Sequence, residues 1–226
     1  MNDSPRFATV EIPGPGRNLL NPEVLGQIRS GLERAAEDPA VSGIILTGSG
    51  DVFCGGLDVP AIKAGADPVP FYEGLVGILR LLPKLPKPVV AAVNGDALAG
   101  GAGFVAAADY VVAVPEAKIG SFEVSVGVWP VVAQVALIKR IGARAAIQNV
   151  ASGEPFSAEQ ASKVGLVNRV VSSEELLEAA STWLAQAARG GAVVAAGRPS
   201  VYRVEEMTYD DALVAALGDI TSAYAK

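Results

Sequence analysis

Three short segments of the chain carry residues whose types and spacing could do acid–base chemistry on a carbonyl group. Two are Gly-rich turns after apolar, strand-like runs, FCGGLD at 53–58 and NGDALAGGAG at 94–103. Such turns expose backbone N–H groups, and two N–H groups aimed at one point make an oxyanion hole. The third segment, GSFE at 120–123, supplies a carboxylate that could move a proton near that point. Together they predict a site that polarises a carbonyl and shifts a proton beside it.

A structural interpretation of the Gly-rich turns stays open, because glycines after strands also permit positive φ and tight packing. Neither turn has the G-x-G-x-x-G spacing of dinucleotide-binding folds or the G-x-x-x-x-G-K-[ST] spacing of phosphate loops. Those two classes of nucleotide site are therefore poorly supported.

The composition excludes several other classes of site. Half of the 226 residues are hydrophobic and 19% are charged, which is enough apolar material for one large domain or two small ones. The net charge of −6 and the absence of a Lys/Arg cluster argue against binding to nucleic acid or to an anionic membrane. There is no histidine, which excludes Ser-His-Asp and Cys-His catalysis and makes a metal site unexpected.

The location of the protein is predicted from weaker signals. A single cysteine, Cys54, excludes a disulfide within the chain and favours a cytoplasmic setting. The polar, acidic N-terminus does not resemble a signal peptide, and no apolar stretch is long enough to suggest a membrane span.

Five individual side chains carry groups that could take part in such chemistry. Without a histidine partner, Cys54 is better interpreted as a small buried residue than as a nucleophile. Asp58 is expected to stabilise a helix N-terminus, and Asp109 to be structural. Asp96 is interpreted as a turn residue that lies close enough to the site to remain a candidate. Glu123 sits among apolar neighbours, which suits a proton-transferring carboxylate, although an exposed loop acid is an equal alternative.

Alternating strands and helices must position these residues. Strands are predicted at 8–12, 43–47, 89–93, 110–114, 118–120 and 166–170. Helices are predicted at 22–38, 70–82, 98–108, 131–140, 143–151, 158–163, 173–188 and 206–223, with a weak helix or linker at 187–197. This order predicts an α/β core with a largely parallel sheet, followed by a helical C-terminal region.

The motifs resemble those of the crotonase superfamily, the enoyl-CoA hydratase/isomerase family, over roughly residues 19–170. They are, in the family's order, NLLNP at 18–22, FCGGLD at 53–58, KPVVAAVNG at 87–95, AGG at 99–101, and FSAEQA at 156–161 with GLV at 165–167. The resemblance implies the crotonase (ClpP-like) fold of repeated ββα units. It implies a spiral core with an acyl-CoA site at 1–170, a shortened helical region at 171–226, and a homotrimer or hexamer. Coenzyme A would enter as part of the substrate, with no separate cofactor.

The resemblance also implies roles for single residues. The N–H groups of Leu57 and Gly100 would stabilise a thioester enolate, and Glu123 would transfer the proton. The residues expected against the acyl-CoA are Gly55, Leu57, Asp58, Val59, Gly100 and Gly103.

This sequence departs from the hydratase pattern at Gly103, where hydratases carry the first of two glutamates. Glu123 retains the second, and one carboxylate is enough to move a proton from the α-carbon to the γ-carbon, so an isomerase is expected. Residues 131–134 (VVAQ) replace a Gly-rich helix start, which would change the acyl pocket. The alternatives are a hydratase in which Asp96 or ordered water replaces the missing glutamate, another enolate reaction such as decarboxylation, and a non-catalytic acyl-CoA binder.

Overall fold

The computed structural model describes the backbone of residues 5–224, and all of their side chains except those of 15 and 221–224. Its strands are β1 (Arg6–Ile12), β2 (Leu19–Leu20), β3 (Val41–Gly48), β4 (Gly56–Leu57), β5 (Val89–Val93), β6 (Ala97–Leu98), β7 (Tyr110–Ala113), β8 (Lys118–Gly120), β9 (Phe156–Ser157) and β10 (Arg169–Val170). Its helices are α1 (Pro15–Asn18, one irregular turn), α2 (Pro22–Glu37), α3 (Val59–Lys63), α4 (Val69–Leu81), α5 (Gly100–Ala107), α6 (Ala133–Ser152), α7 (Ala158–Lys163), α8 (Leu176–Ala187), α9 (Ala192–Glu205) and α10 (Tyr209–Tyr224).

One five-stranded parallel sheet forms the centre, in the order β1-β3-β5-β7-β10. Two small sheets lie beside it, β2-β4 and β6-β8-β9, in which only β8 and β9 run antiparallel. A long strand, a short strand and helical structure therefore follow one another repeatedly, as in β5-β6-α5 and β7-β8-α6. This is the predicted arrangement of ββα units.

Local sequence explains the main elements. All five residues of β5, VVAAV, are buried, as expected for a central parallel strand that is covered on both faces. Asn21 caps α2 by accepting a hydrogen bond from the Val24 N–H (2.9 Å), and Pro22 takes the first helical position. Leu25, Ile28 and other residues of one face of α2 are buried against the sheet.

The C-terminal region is tied to the sheet at two places. The ring of Trp183 in α8 stacks on that of Tyr110 in β7, with centroids 4.8 Å apart. The buried guanidinium of Arg198 in α9 donates to Asp109 Oδ2 (2.7 Å) and to the carbonyl of Leu82 (2.9 Å), among others. Asp109 also accepts hydrogen bonds from the Val89 N–H and the Tyr202 hydroxyl, so its expected structural role is confirmed.

Several predicted boundaries were wrong, among them the helix starts at 131 and 206, since α6 begins at Ala133 and α10 at Tyr209. The segment 187–197, predicted as a weak helix or linker, contributes residues 192–197 to the 14-residue helix α9, whose continuation to Glu205 was not predicted. Leu98 pairs in β6 rather than opening α5. Residues 166–168 are not strand, since the N–H groups at 166 and 167 both donate to the Ala161 carbonyl. β1 begins at Arg6 rather than at residue 8.

The predicted break between the helices at 131–140 and 143–151 is present as a kink in α6. Gly142 there has φ 75 and ψ 156, far from helical values. No helix in the described part of the chain is both long enough and apolar enough to cross a membrane.

Candidate functional site

Backbone hydrogen bonds bring the three predicted segments together. The Cys54 N–H donates to the Asp96 carbonyl (3.0 Å), and the Leu98 N–H returns a bond to the Cys54 carbonyl (2.8 Å). The Ala99 N–H donates to the carbonyl of Gly120 (2.9 Å), which joins the second segment to the third. The convergence inferred from sequence is confirmed.

The first turn directs the Leu57 N–H away from its neighbouring strand. The Asp58 N–H donates to the Leu20 carbonyl of β2 (3.0 Å), and alternation along an extended strand turns the preceding N–H toward the opposite edge. Gly56 has φ +92, and a Cβ added there would lie 2.6 Å from Ala99 Cβ and 3.6 Å from the Gly100 nitrogen. The two Gly-rich turns are therefore in direct contact at this glycine.

The second turn places Gly100 at the N-terminus of α5. Ala99 precedes it with φ 52 and ψ −116, a conformation that costs free energy for a residue with a side chain. The N–H groups in the first turn of any α-helix have no partner within the helix, and the Gly103 N–H is the first to bond back, to the Ala99 carbonyl (3.2 Å). The strained turn thus presents the Gly100 N–H beside the first segment.

Cys54 lies beneath this helix start rather than in it. It is fully buried, and burial raises the pKa of its thiol to about 12, with the Gly56 N–H acting in the opposite direction. A thiol in this state is protonated at neutral pH and is not a nucleophile. A Cβ added to Gly101 would lie 2.7 Å from Cys54 Cβ. Contact between Gly101 and Cys54 therefore sets the distance between α5 and the Gly-rich turn at 53–58.

Glu123 is half-buried at the start of a short 3-10 turn (Glu123–Val126). Its Oε2 atom accepts hydrogen bonds from the Ser121 hydroxyl and from the Phe122 N–H (3.0 Å). Among the groups that the structure describes, no hydrogen-bond donor contacts Oε1. One carboxylate oxygen is therefore held by two donors, and the other has none among the described residues.

The sequence interpretation missed Asn149, the residue of α6 that holds this segment. Its amide is 1% exposed and bonds both the N–H (2.7 Å) and the carbonyl (2.8 Å) of Ser121. The only sequence signal was a polar residue within the buried face of a helix, and nothing local indicated its partner 28 positions earlier.

Gly103 is buried in apolar surroundings. A Cβ added there would make ordinary contacts with both Leu79 Cδ atoms (3.5 and 3.6 Å) and with Ala133 Cα (3.8 Å). The position that carries a glutamate in the hydratase pattern therefore has neither a carboxylate nor a polar neighbour among those nearest atoms.

The two remaining acids near the site have structural partners. Asp96 Oδ2 pairs with Arg17 (2.5 Å), and Oδ1 accepts from the Lys118 N–H (3.0 Å), which disfavours Asp96 as a substitute for the missing glutamate. Asp58 caps α3 by accepting from the Ala61 N–H (3.0 Å), as predicted for a helix N-terminus.

Apolar side chains follow Glu123 along the chain. Val126, Trp129 and Val131 are each about half exposed. The Trp129 indole N–H donates to Gln134 Oε1 (3.0 Å), which fixes the ring beside the start of α6. Across residues 5–224, no group of three or more acidic or cysteine side chains is placed to hold a metal ion.

Comparison with known proteins gives a consistent picture. Residues 6–211 match the family model described as enoyl-CoA hydratase/isomerase. The putative enoyl-CoA hydratase of Thermus thermophilus is 35% identical over 180 residues, which cover 76% of this chain and 70% of that protein. The peroxisomal bifunctional enzyme of Cavia porcellus is 35% identical over 76% of this chain, but the chain spans only 24% of that much longer protein. The crystal structure of an enoyl-CoA hydratase from Mycobacterium smegmatis matches with a TM-score of 0.86 at 28% identity, over 100% of this chain and 89% of that chain.

Proposed function

The chain belongs to the enoyl-CoA hydratase/isomerase family, and from that premise we propose that it is an enoyl-CoA isomerase with a single catalytic glutamate. It would move a β,γ double bond into conjugation with the thioester. The observation that carries this proposal is the contrast between two positions: Glu123 holds an oriented carboxylate, whereas the three atoms nearest to a Cβ added at Gly103 all belong to Leu79 and Ala133.

The oxyanion hole comes first in the mechanism. The thioester oxygen would accept hydrogen bonds from the N–H groups of Leu57 and Gly100, which lie on either side of the contact at Gly56. Removal of the α-proton places negative charge on that oxygen, so both bonds strengthen as the enolate forms. One such donor is typically worth about 10²–10³ in rate.

Proton transfer then falls to Glu123. Oε1 would take the proton from Cα, and the electron pair of that C–H bond would form the dienolate across the thioester and the β,γ double bond. The same carboxylic acid would return the proton at Cγ, which leaves a double bond between Cα and Cβ and restores the carboxylate. No water is consumed, and no second acid is required.

Hydration would need more than this site offers. Adding water to a 2-enoyl thioester requires a group that holds the water and a group that moves its protons. The glycine at 103 and the apolar contacts of Leu79 and Ala133 supply neither. Both carboxylate oxygens of Asp96 already have partners, which favours a structural role in the turn over a role in holding water.

The remaining features of the proposal concern the substrate and its setting. Gly55, Asp58 and Val59 would lie along the CoA arm, and the apolar residues of 126–131 would face the acyl chain. Residues 1–170 would form the core with the site, and 171–226 the helical region. A cytoplasmic homotrimer or hexamer, with coenzyme A entering only as part of the substrate, completes the proposal.

The test is the Glu123→Gln variant, which keeps the shape of the side chain but removes the base. We expect isomerisation of a 3-enoyl-CoA to fall by about 10²–10⁴-fold. Binding of a saturated acyl-CoA, measured by calorimetry, should change by less than about threefold, since the amide adds no bulk. Glu116→Gln, at an exposed acid in the β7–β8 connection, is the matched control and should leave both quantities unchanged. Full turnover in the Glu123 variant would refute the mechanism.

A further inference from the structure

We propose that Asn149 and Ser121 are positioning residues that fix the carboxylate of Glu123, so that a single oxygen, Oε1, both takes and returns the substrate proton. The inference rests on the proposed function only in requiring Glu123 to be the base. Neither positioning residue needs to touch the substrate, because both act through the glutamate.

Asn149, on helix α6, fixes the backbone of Ser121. Its Oδ1 accepts from the Ser121 N–H (2.7 Å), and its Nδ2 donates to the Ser121 carbonyl (2.8 Å) and to the Glu154 carbonyl (2.8 Å). A primary amide has two donor hydrogens, and both are used here. Ser121 is thus bound at both of its backbone polar groups by one side chain, much as a neighbouring strand would bind it.

Gly120 allows the amide to approach this closely. A Cβ added to Gly120 would lie 2.7 Å from Asn149 Oδ1 and 2.9 Å from Nδ2, so any larger residue would displace the amide. Gly120 also has φ +148. Two residues of the segment Gly-Ser-Phe-Glu thus have identifiable structural roles. The glycine leaves room for the Asn149 amide, and the serine supplies the hydroxyl that bonds the glutamate.

Ser121 passes this constraint to the carboxylate. Its side chain is fully buried, and its hydroxyl donates to Glu123 Oε2. The Phe122 N–H donates to the same oxygen at 3.0 Å. The carboxylate cannot rotate about its last bond without breaking both contacts, so Oε1 keeps one orientation while it carries the proton.

This arrangement has an isotopic consequence. A proton held on a non-rotating oxygen over the substrate is returned to the same molecule before it exchanges with solvent. Loss of the Ser121 hydroxyl leaves the Phe122 N–H as the one remaining donor to Oε2, so the carboxylate turns more readily. The rate of proton removal should then fall, and the share of solvent hydrogen in the product should rise. A purely structural contribution to folding would not change that share.

The experiment compares Ser121→Ala with the wild-type protein in D₂O. The first probe is an arylacetyl-CoA, which has no double bond to shift but has α-hydrogens made more acidic by the aryl group. Mass spectrometry measures how fast these α-hydrogens are replaced by deuterium through the enolate. The second probe is a 3-enoyl-CoA, whose product reports deuterium gained per turnover. Exchange measures the rate of proton removal multiplied by the share of protons lost to solvent, so with removal slowed about tenfold and that share raised about twofold, we expect α-exchange of the first probe to fall about fivefold in Ser121→Ala. We also expect deuterium incorporation per turnover to rise at least about twofold with the second.

Three further proteins make the comparison specific. Ser125→Ala removes a hydroxyl that bonds the Phe122 carbonyl (2.7 Å) in the same turn without contacting the carboxylate, and should match wild type. The double variant Glu123→Gln/Ser121→Ala should behave like Glu123→Gln alone, in which exchange is already lost. The reason is that the Ser121 hydroxyl acts only through the Glu123 carboxylate. Asn149→Ala should reproduce the Ser121 defect in any preparation whose thermal unfolding shows it to be folded. If that variant does not fold, Ser121→Ala alone decides.

The outcomes separate the inference from the proposed function. Suppose that Glu123→Gln abolishes exchange, but Ser121→Ala matches Ser125→Ala within about twofold in exchange rate and has unchanged deuterium per turnover. The positioning role is then wrong, and the assignment of Glu123 as the base is retained. If Glu123→Gln retains exchange, the base is misassigned and both proposals fail. The slowed exchange and increased deuterium content of Ser121→Ala, absent from Ser125→Ala, would establish the positioning role.

Discussion

A methyl group on Gly101 should separate the two halves of the proposed oxyanion hole. In Gly101→Ala the new Cβ would begin 2.7 Å from Cys54 Cβ and 2.8 Å from the Cys54 carbonyl oxygen. Neither atom belongs to a flexible chain end, so α5 must move outward by about 0.7 Å to reach ordinary van der Waals contact. Overpacking of this kind costs about 1–3 kcal/mol of unfolding free energy. The shift displaces the Gly100 N–H from the Leu57 N–H, and misplacement on this scale costs about 10–100-fold in turnover.

The same helix provides the control. Gly103→Ala adds the same methyl group two residues later, where the nearest atom would be 3.5 Å away. Without a clash, that variant should be as stable as wild type or up to about 1 kcal/mol more stable, because alanine is the better helix former. Urea unfolding of both variants, with isomerase turnover of Gly101→Ala, is the assay. Equal unfolding free energies in the two variants, together with wild-type turnover in Gly101→Ala, would refute the proposed geometry.

Two other predictions concern buried charge and alkaline pH. Asp109→Ala leaves the Arg198 guanidinium buried without its anion, and urea titrations should show a loss of about 3–5 kcal/mol, with proteolysis beginning in α9. A loss below about 1 kcal/mol would contradict that account. Burial raises the pKa of Cys54 from 9.0 to about 12, so its contribution to stability is complete below pH 9 and is lost as pH rises toward 12. Between pH 8 and 11, wild type should lose about 2–3 kcal/mol more than Cys54→Ala, and equal losses would argue against the raised pKa.

The parts of the fold that could be predicted depend on local pattern. The run VVAAV at 89–93 is apolar throughout and gave the central strand β5 at its observed bounds. Asn21 and Pro22 predict the start of α2, because N-terminal capping depends on only a few adjacent residues. The convergence of the Gly-rich turns and Glu123 could be inferred because parallel strands bring their following turns to one edge.

The errors share a physical cause, which is dependence on distant partners. Leu98 looked helical within its Ala/Gly-rich surroundings, but pairing of β6 with β8 makes it strand. Helix α9 has a weak local signal, and Arg198 stabilises it by reaching carbonyl groups more than 110 positions earlier. Asn149 could not be recognised as part of the site, because its partner Ser121 lies on another element and no spacing rule connects them.

The central claim is that one glutamate, with a glycine at 103, makes this site an isomerase. The most direct test gives purified protein a 3-enoyl-CoA and a 2-enoyl-CoA of the same medium chain length, and follows both by chromatography of the products. The account predicts conversion of the 3-enoyl substrate to the conjugated thioester, with no water added to the 2-enoyl substrate. Hydration of the 2-enoyl substrate, or binding of both without turnover of either, would contradict it.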